Sequence, residues 1–155
     1  MPDYPELIYS STHITLRRNE GGDQIKDLIR NTWLHLTPEE WVRQHLLGHL
    51  VHELGYPPST IAIEKKVDIN GMPKRFDALI YHKGTPAILI ECKAPNVPLT
   101  ESVFHQACRY NSQLKAPMTI LSNGLQTIVA IVSFDTGQIQ FVKSIPNKLD
   151  WESNL

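Results

Sequence analysis

The stretch RFDALIYHKGTPAILIECKAP, residues 75 to 95, constrains this chain more than any other. Two runs rich in Ile, Leu, Phe, Tyr and Ala, Arg75 to Tyr81 and Pro86 to Glu91, flank the polar segment His82-Lys83-Gly84-Thr85. Such runs on either side of a short Gly-containing segment predict a β-hairpin. With the turn centred on Gly84, residues whose numbers sum to 168 face each other, which sets Asp77 opposite Glu91 and Arg75 opposite Lys93. Strand side chains alternate between faces. Arg75, Asp77, Glu91 and Lys93 therefore share one face, and Phe76, Ala78, Ile80, Ile88, Ile90 and Cys92 share the other.

Directly opposed residues on antiparallel strands hold their Cβ atoms about 4.5 to 5.5 Å apart, where like charges are destabilising. Two carboxylates so placed can share a proton, pair with nearby cations or bind a divalent metal. In the plainest of these readings Arg75 and Lys93 neutralise the acids within a surface charge cluster.

Around the hairpin the pattern is that of a mixed α+β (α/β) chain. Thr37-Pro38-Glu39-Glu40 has the form of a helix start, with Thr as cap, Pro in the first turn and Glu at the third position. The helix is expected to run to about Leu54, with Val42, Leu46, Leu47, Leu50, Val51 and Leu54 on its buried side. His45, His49 and His52 fall on the opposite side, where they read as a solvent-facing row; no fourth ligand accompanies them for zinc. Ile61 to Val67 predicts a strand and Asn70-Gly71 a turn into the hairpin. A second helix is expected over Thr100 to Leu114, followed by strands at Thr119 to Leu121, Thr127 to Phe134 and Gln138 to Val142. The order α-β-β-β-α-β-β describes a mixed central sheet flanked by helices. Residues 1–155 are expected to form one domain, with 37–135 as its core and 1–36 as an appendage holding a strand in Ser11 to Arg18 and a helical turn in Gln24 to Arg30.

Asp77, thirteen residues, then Glu91-Cys92-Lys93 resembles the PD-(D/E)XK nuclease signature. The longer text RFDALIY, ILIECKAP, QACRY and LSNG resembles the nuclease domain at the N-terminus of type I restriction enzyme R subunits, from about Thr37 to Asp135. Phe76 stands where the name of the signature has proline. The resemblance implies a restriction-endonuclease-like core and magnesium-dependent hydrolysis of DNA, with manganese as an alternative ion. Asp77 and Glu91 would be metal ligands and the backbone carbonyl of Cys92 a third. Lys93 would polarise the attacking water or neutralise the scissile phosphate; its alternative is a plain counter-ion. For Glu40 two readings stand side by side, a helical carboxylate reaching the metal and the acid of the capping box. Gln106 and Tyr110 lie four apart on the second helix and, by the resemblance, contact the substrate strand. Arg109 and Arg75 are candidate phosphate contacts.

Composition narrows the partners. With 15 Lys and Arg against 16 Asp and Glu the formal net charge is −1, whereas freestanding duplex binders are usually basic. A nucleic-acid-binding or assembly subunit without independent activity is accordingly the competing reading, with protein partners from a restriction or DNA-processing system. A surface salt network unrelated to nucleic acid is a third. No run of about 18 apolar residues predicts a membrane span, the first residues lack the pattern of a signal peptide, and two cysteines without ligand spacing suit a reducing cytoplasm.

Overall fold

A computed structural model describes residues 3–109 and 111–155. Near the N-terminus, β1 (Leu16–Asn19), β2 (Gly22–Lys26) and β3 (Trp33–His35) form an antiparallel three-stranded sheet. The helical turn expected over Gln24 to Arg30 is instead the end of β2, with Ile25 paired to Leu16, followed by a tight turn. The buried Asp27 carboxylate accepts hydrogen bonds from the Ile29 and Arg30 amides at 2.8 and 3.0 Å. An aspartate that satisfies amides two and three residues ahead closes a turn rather than extending a helix.

Helix α1 (Pro38–Gly48) starts where its cap predicts, with the Glu40 amide donating to Thr37 Oγ1 at 3.1 Å. It continues as one π-helical turn, His49–Glu53. From Val42 to Gly48 only part of one face was expected inside, yet His45 is buried as well, its Nδ1 at 2.6 Å from the Trp41 carbonyl oxygen. The solvent-facing row is thus corrected: His45 is enclosed, His49 is half-buried and only His52 is exposed, its ring stacked on His13. The N-terminal segment produces the difference by packing over that side of the helix, with Tyr4 stacked on Trp41 and Tyr9 against His49.

The strand expected over Ile61 to Val67 divides into β4 (Ile61–Ile63) and β5 (Lys66–Ile69), and β5 pairs with β6 (Met72–Arg75) as a separate two-stranded ribbon. Then come β7 (Ala78–His82), β8 (Thr85–Cys92), helices α2 (Glu101–Cys108) and α3 (Asn111–Leu114) in place of one long second helix, β9 (Met118–Ser122), β10 (Thr127–Val132), β11 (Ile139–Val142) and α4 (Lys148–Glu152). Six strands form the central sheet in the order β11-β10-β9-β8-β7-β4, antiparallel except for β8 and β9. The core order α-β-β-β-α-β-β is therefore observed, with the ribbon inserted between β4 and β7.

The hairpin register is the expected one near the acids, with Ala78 opposite Ile90, Leu79 opposite Leu89 and Ile80 opposite Ile88. A bulge shifts it by one beyond Ile80, so the loop is the two-residue Lys83-Gly84 turn, φ +48° and +80°. Positive φ at both loop residues is the type I′ geometry that matches strand twist.

Two details of the hairpin differ from expectation. Phe76 packs with Leu79, Leu89 and Ala116 rather than with Ala78 and Ile80. The chain leaves the strand at Phe76 and Asp77 between β6 and β7, so side-chain parity is not carried across. Likewise Arg75 lies opposite Lys66 in the ribbon, not opposite Lys93. The face expected to be charged is apolar along most of its length, because β8 is central and covered on both sides. α1 packs over Ile80, Ile88 and Ile90, while Phe104 of α2 covers Leu121 and Ala130.

Gly124 follows β9 with φ +82°, and a Cβ there would lie 2.7 Å from Leu7 Cδ2. Gly124→Ala is expected to destabilise the chain by about 1 to 3 kcal/mol, through left-handed strain and displacement of a buried leucine. Urea titration of the two proteins measures this.

Candidate active site

Asp77 sits where the chain enters β7, and Glu91 and Cys92 end β8. Asp77 Oδ2 accepts the Cys92 backbone N–H at 2.7 Å, which ties the carboxylate to the neighbouring strand. The Glu91 carboxyl lies close enough to Asp77 for the Asp77 charge to act on its protonation. Burial, then the neighbouring Asp77 carboxylate, push the Glu91 carboxyl up to about 8, against partial relief from Lys74 and Lys93. Two facing acids share a proton when no cation separates them. The Cys92 thiol points into the core and burial pushes its pKa well up, leaving only its backbone for chemistry at the site.

A cleft of about 340 Å³ opens over Asp77, lined also by Glu40, Arg43, Glu64, Arg75 and Cys92. Arg43 in its wall is only 5% exposed. The guanidinium ion-pairs with Glu40, approaches Glu64 at 3.3 Å and lies 3.9 Å from Asp77 Oδ1. Glu40 also accepts from the Gln44 amide at 3.2 Å. Arg30 extends the network, joining Glu64 at 3.2 Å to Asp27 at 2.6 Å. Burial raises the Glu64 carboxyl, but Arg43 and Arg30 outweigh it and hold the group below its ordinary value.

The sequence candidates divide accordingly. Asp77, Cys92, Arg75 and Glu40 line one cleft, Glu91 lies beside Asp77, and Lys93 is half-buried with its charge acting on Glu91. Glu40 has a partner that neither of its expected roles includes, the Arg43 guanidinium. Gln106 and Arg109 are exposed on and just after α2 and do not line the cleft. Tyr110 lies outside the described residues. Sequence reasoning missed Arg43 and Lys74. Arg43 carries a legible signal, since it falls in the middle of the apolar stripe of α1 between Val42, Leu46, Leu47 and Leu50, where a lone charge needs an acid partner.

Among the described residues no group of three or more His, Cys, Asp or Glu side chains is placed to hold one metal ion. Magnesium commonly binds proteins through one or two carboxylates and keeps several waters. The Asp77 and Glu91 oxygens fit such an ion, because a divalent cation would offset the burial and the Asp77 charge that together raise the Glu91 pKa.

No curated protein matches the chain with significance. In fold it is similar to a fragment structure of a protein assigned as the HsdR subunit of a type I restriction enzyme from Vibrio vulnificus YJ016, with a TM-score of 0.57 and 20% identity. That likeness covers 76% of this chain and 25% of the other, so the chain spans about a quarter of the length of the protein it matches. Residues 38–146, which include every strand of the central sheet, match the family described as the type I restriction enzyme R protein N terminus (HSDR_N). The chain belongs to the family of type I restriction enzyme R protein N-termini.

Proposed function

We propose that this chain is a magnesium-dependent endonuclease of PD-(D/E)XK type that hydrolyses DNA phosphodiesters within a restriction or DNA-processing system. The observation that supports this reading most is the approach of Asp77, where the chain enters β7, to Glu91 at the end of β8, with Asp77 tied to β8 through the Cys92 amide and close enough to Glu91 to act on its protonation. Asp77, Glu91 and the Cys92 carbonyl would hold the ion; manganese fits the same oxygens. When bound, magnesium supplies Lewis-acid polarisation of a phosphate oxygen and of water. The Cys92 amide fixes the orientation of Asp77. Lys93, two residues beyond Glu91, orients the attacking water or offsets charge on the scissile phosphate. Glu40 is occupied by Arg43 and Gln44 and would act only as an outer contact.

A second reading, a DNA-binding or assembly module without hydrolytic activity, is favoured by the net charge of −1. The two separate in one set of assays. Purified protein is incubated with plasmid, single-stranded DNA and RNA, with and without magnesium or manganese. Metal-dependent cleavage supports the hydrolytic reading, and intact substrates under every condition support the module.

Thermal unfolding adds an independent measurement. Between its ordinary pKa and about 8, folded Glu91 holds a proton that the unfolded chain lacks. Its contribution to stability is therefore present at low pH and is lost as pH rises through about 8. An ion on the two carboxylates replaces that proton. The magnesium-induced rise in Tm is expected to be larger at pH 8 than at pH 6. A rise independent of pH would place the ion elsewhere.

A further inference from the structure

The ribbon β5–β6 stands apart from the central sheet, and its charge is unlike that of the rest of the chain. Residues 65–75 contain four cations, Lys65, Lys66, Lys74 and Arg75, against the single acid Asp68, in a protein whose net charge is −1. Register places Lys66 directly opposite Arg75. Like charges so opposed are destabilising in a sheet. Among the described residues the ion pairs of this region run through Arg30 and Arg43, and none of Lys65, Lys66 or Arg75 joins them.

The ribbon is amphipathic. Val67 and Ile69 turn inward, Val67 packing against the cluster of Phe76, Leu79 and Leu89, while Lys66, Asp68, Pro73 and Arg75 are exposed on the opposite side. Its base is closed beside Asp77 by backbone bonds: the Glu64 amide donates to the Asp77 carbonyl and the Phe76 amide to the Lys65 carbonyl, both at 2.9 Å. Glu64 itself has φ +51°, a left-handed bend that redirects the chain between β4 and β5. The ion pairs of its carboxylate with Arg43 and Arg30 hold that bend in place. The cations therefore have a set position beside the acids, with Arg75 lining the cleft and the charge of Lys74 reaching Glu91.

We propose that the β5–β6 ribbon is a docking surface for duplex DNA, with Lys65, Lys66 and Arg75 on backbone phosphates, delivering the strand to Asp77 and Glu91. A two-stranded ribbon is also the shape that the major groove admits. The tip, Asn70-Gly71-Met72, leads away from the base, with Met72 70% exposed. The inference rests on the reading of the chain as a DNA hydrolase but concerns binding alone.

The test uses the full chain in EDTA, so that no cleavage is required. Binding of a fluorescein-labelled DNA duplex is measured by anisotropy between ~50 and ~200 mM salt. The variant Lys65→Gln with Lys66→Gln is compared with Lys83→Gln and Lys115→Gln, which remove the same charge beside the hairpin turn. The ribbon variant is expected to bind about tenfold more weakly and to lower the slope of log Kd against log salt by about 2, the control by neither. Unchanged Tm values show that both variants fold. Equal loss in ribbon and control variants, or no duplex binding by the parent at ~50 mM salt, would overturn the proposal. A protein that binds through the ribbon yet cleaves nothing would remove the hydrolytic reading alone. Cleavage together with undiminished binding by the ribbon variant would remove this inference alone.

Discussion

Asp77→Asn is expected to lower magnesium-dependent cleavage on the order of 10³-fold or more, while the fold persists. Asparagine keeps an oxygen that can accept the Cys92 N–H, now made at 2.7 Å, so the junction between β7 and β8 retains its geometry. By the proposed reading, one of the two charges that would hold the ion disappears. Glu91 also loses the neighbouring charge and partner that help raise its pKa to about 8, so its titration moves back toward the ordinary carboxyl range. Three measurements follow from this one change: loss of cleavage, loss of the magnesium-induced rise in Tm, and a weaker decline of stability between pH 5 and 8. Lys93→Ala should share the first but not the second, because lysine carries no ligand oxygen. Cleavage that survives both substitutions would belong to another site or to a contaminant.

Removing Arg43 is expected to be the most destabilising single change near the cleft. Its guanidinium is almost wholly enclosed and faces Glu40, Glu64 and Asp77. Arg43→Met keeps most of the volume but strands those carboxylates without their shared cation. Breaking a buried pair by deleting one partner typically costs about 3 to 5 kcal/mol. The penalty should depend on pH in a definite direction. Arg43 and Arg30 depress the Glu64 pKa in the parent protein, a contribution present above the ordinary carboxyl value and lost as pH falls through the folded one. Without Arg43 the Glu64 pKa rises, so the gap between variant and parent should narrow as pH is lowered from 7 to 4.5. Urea titrations at the two pH values provide the comparison. A loss below ~1 kcal/mol at pH 7 would mean that water, rather than Arg43, stabilises these acids. Addition of Glu40→Gln and Glu64→Gln should recover part of the loss, because the stranded charges are then absent.

The local chemistry of the chain was legible without coordinates. The register from Ala78 opposite Ile90 to Ile80 opposite Ile88, the Thr37 cap, the Asn70-Gly71 turn and the approach of Asp77 to Glu91 follow from side-chain alternation, capping and turn preference over fewer than twenty residues, whereas the bulge beyond Ile80 that leaves Lys83-Gly84 as the loop does not. These terms act between near neighbours, so their outcome is written in the order of residues. Parity survived only within unbroken strands, and for that reason Phe76 and Arg75, on the far side of the break before β7, fell in with other neighbours.

What only the tertiary structure decided is which charges share the cleft. Arg30 and Glu64 are 34 positions apart, and Arg43 and Asp77 are likewise distant in sequence. Their encounter depends on where α1 and the N-terminal sheet pack, a result of burying apolar faces that are not selective for one charged neighbour over another. The enclosure of His45 has the same origin. Sequence alone placed two acids and a lysine on one hairpin; packing supplied Arg43, the bend at Glu64 and the outward-facing ribbon. Hydrophobic burial is non-directional, whereas ion pairs are specific only after packing has brought their partners within reach.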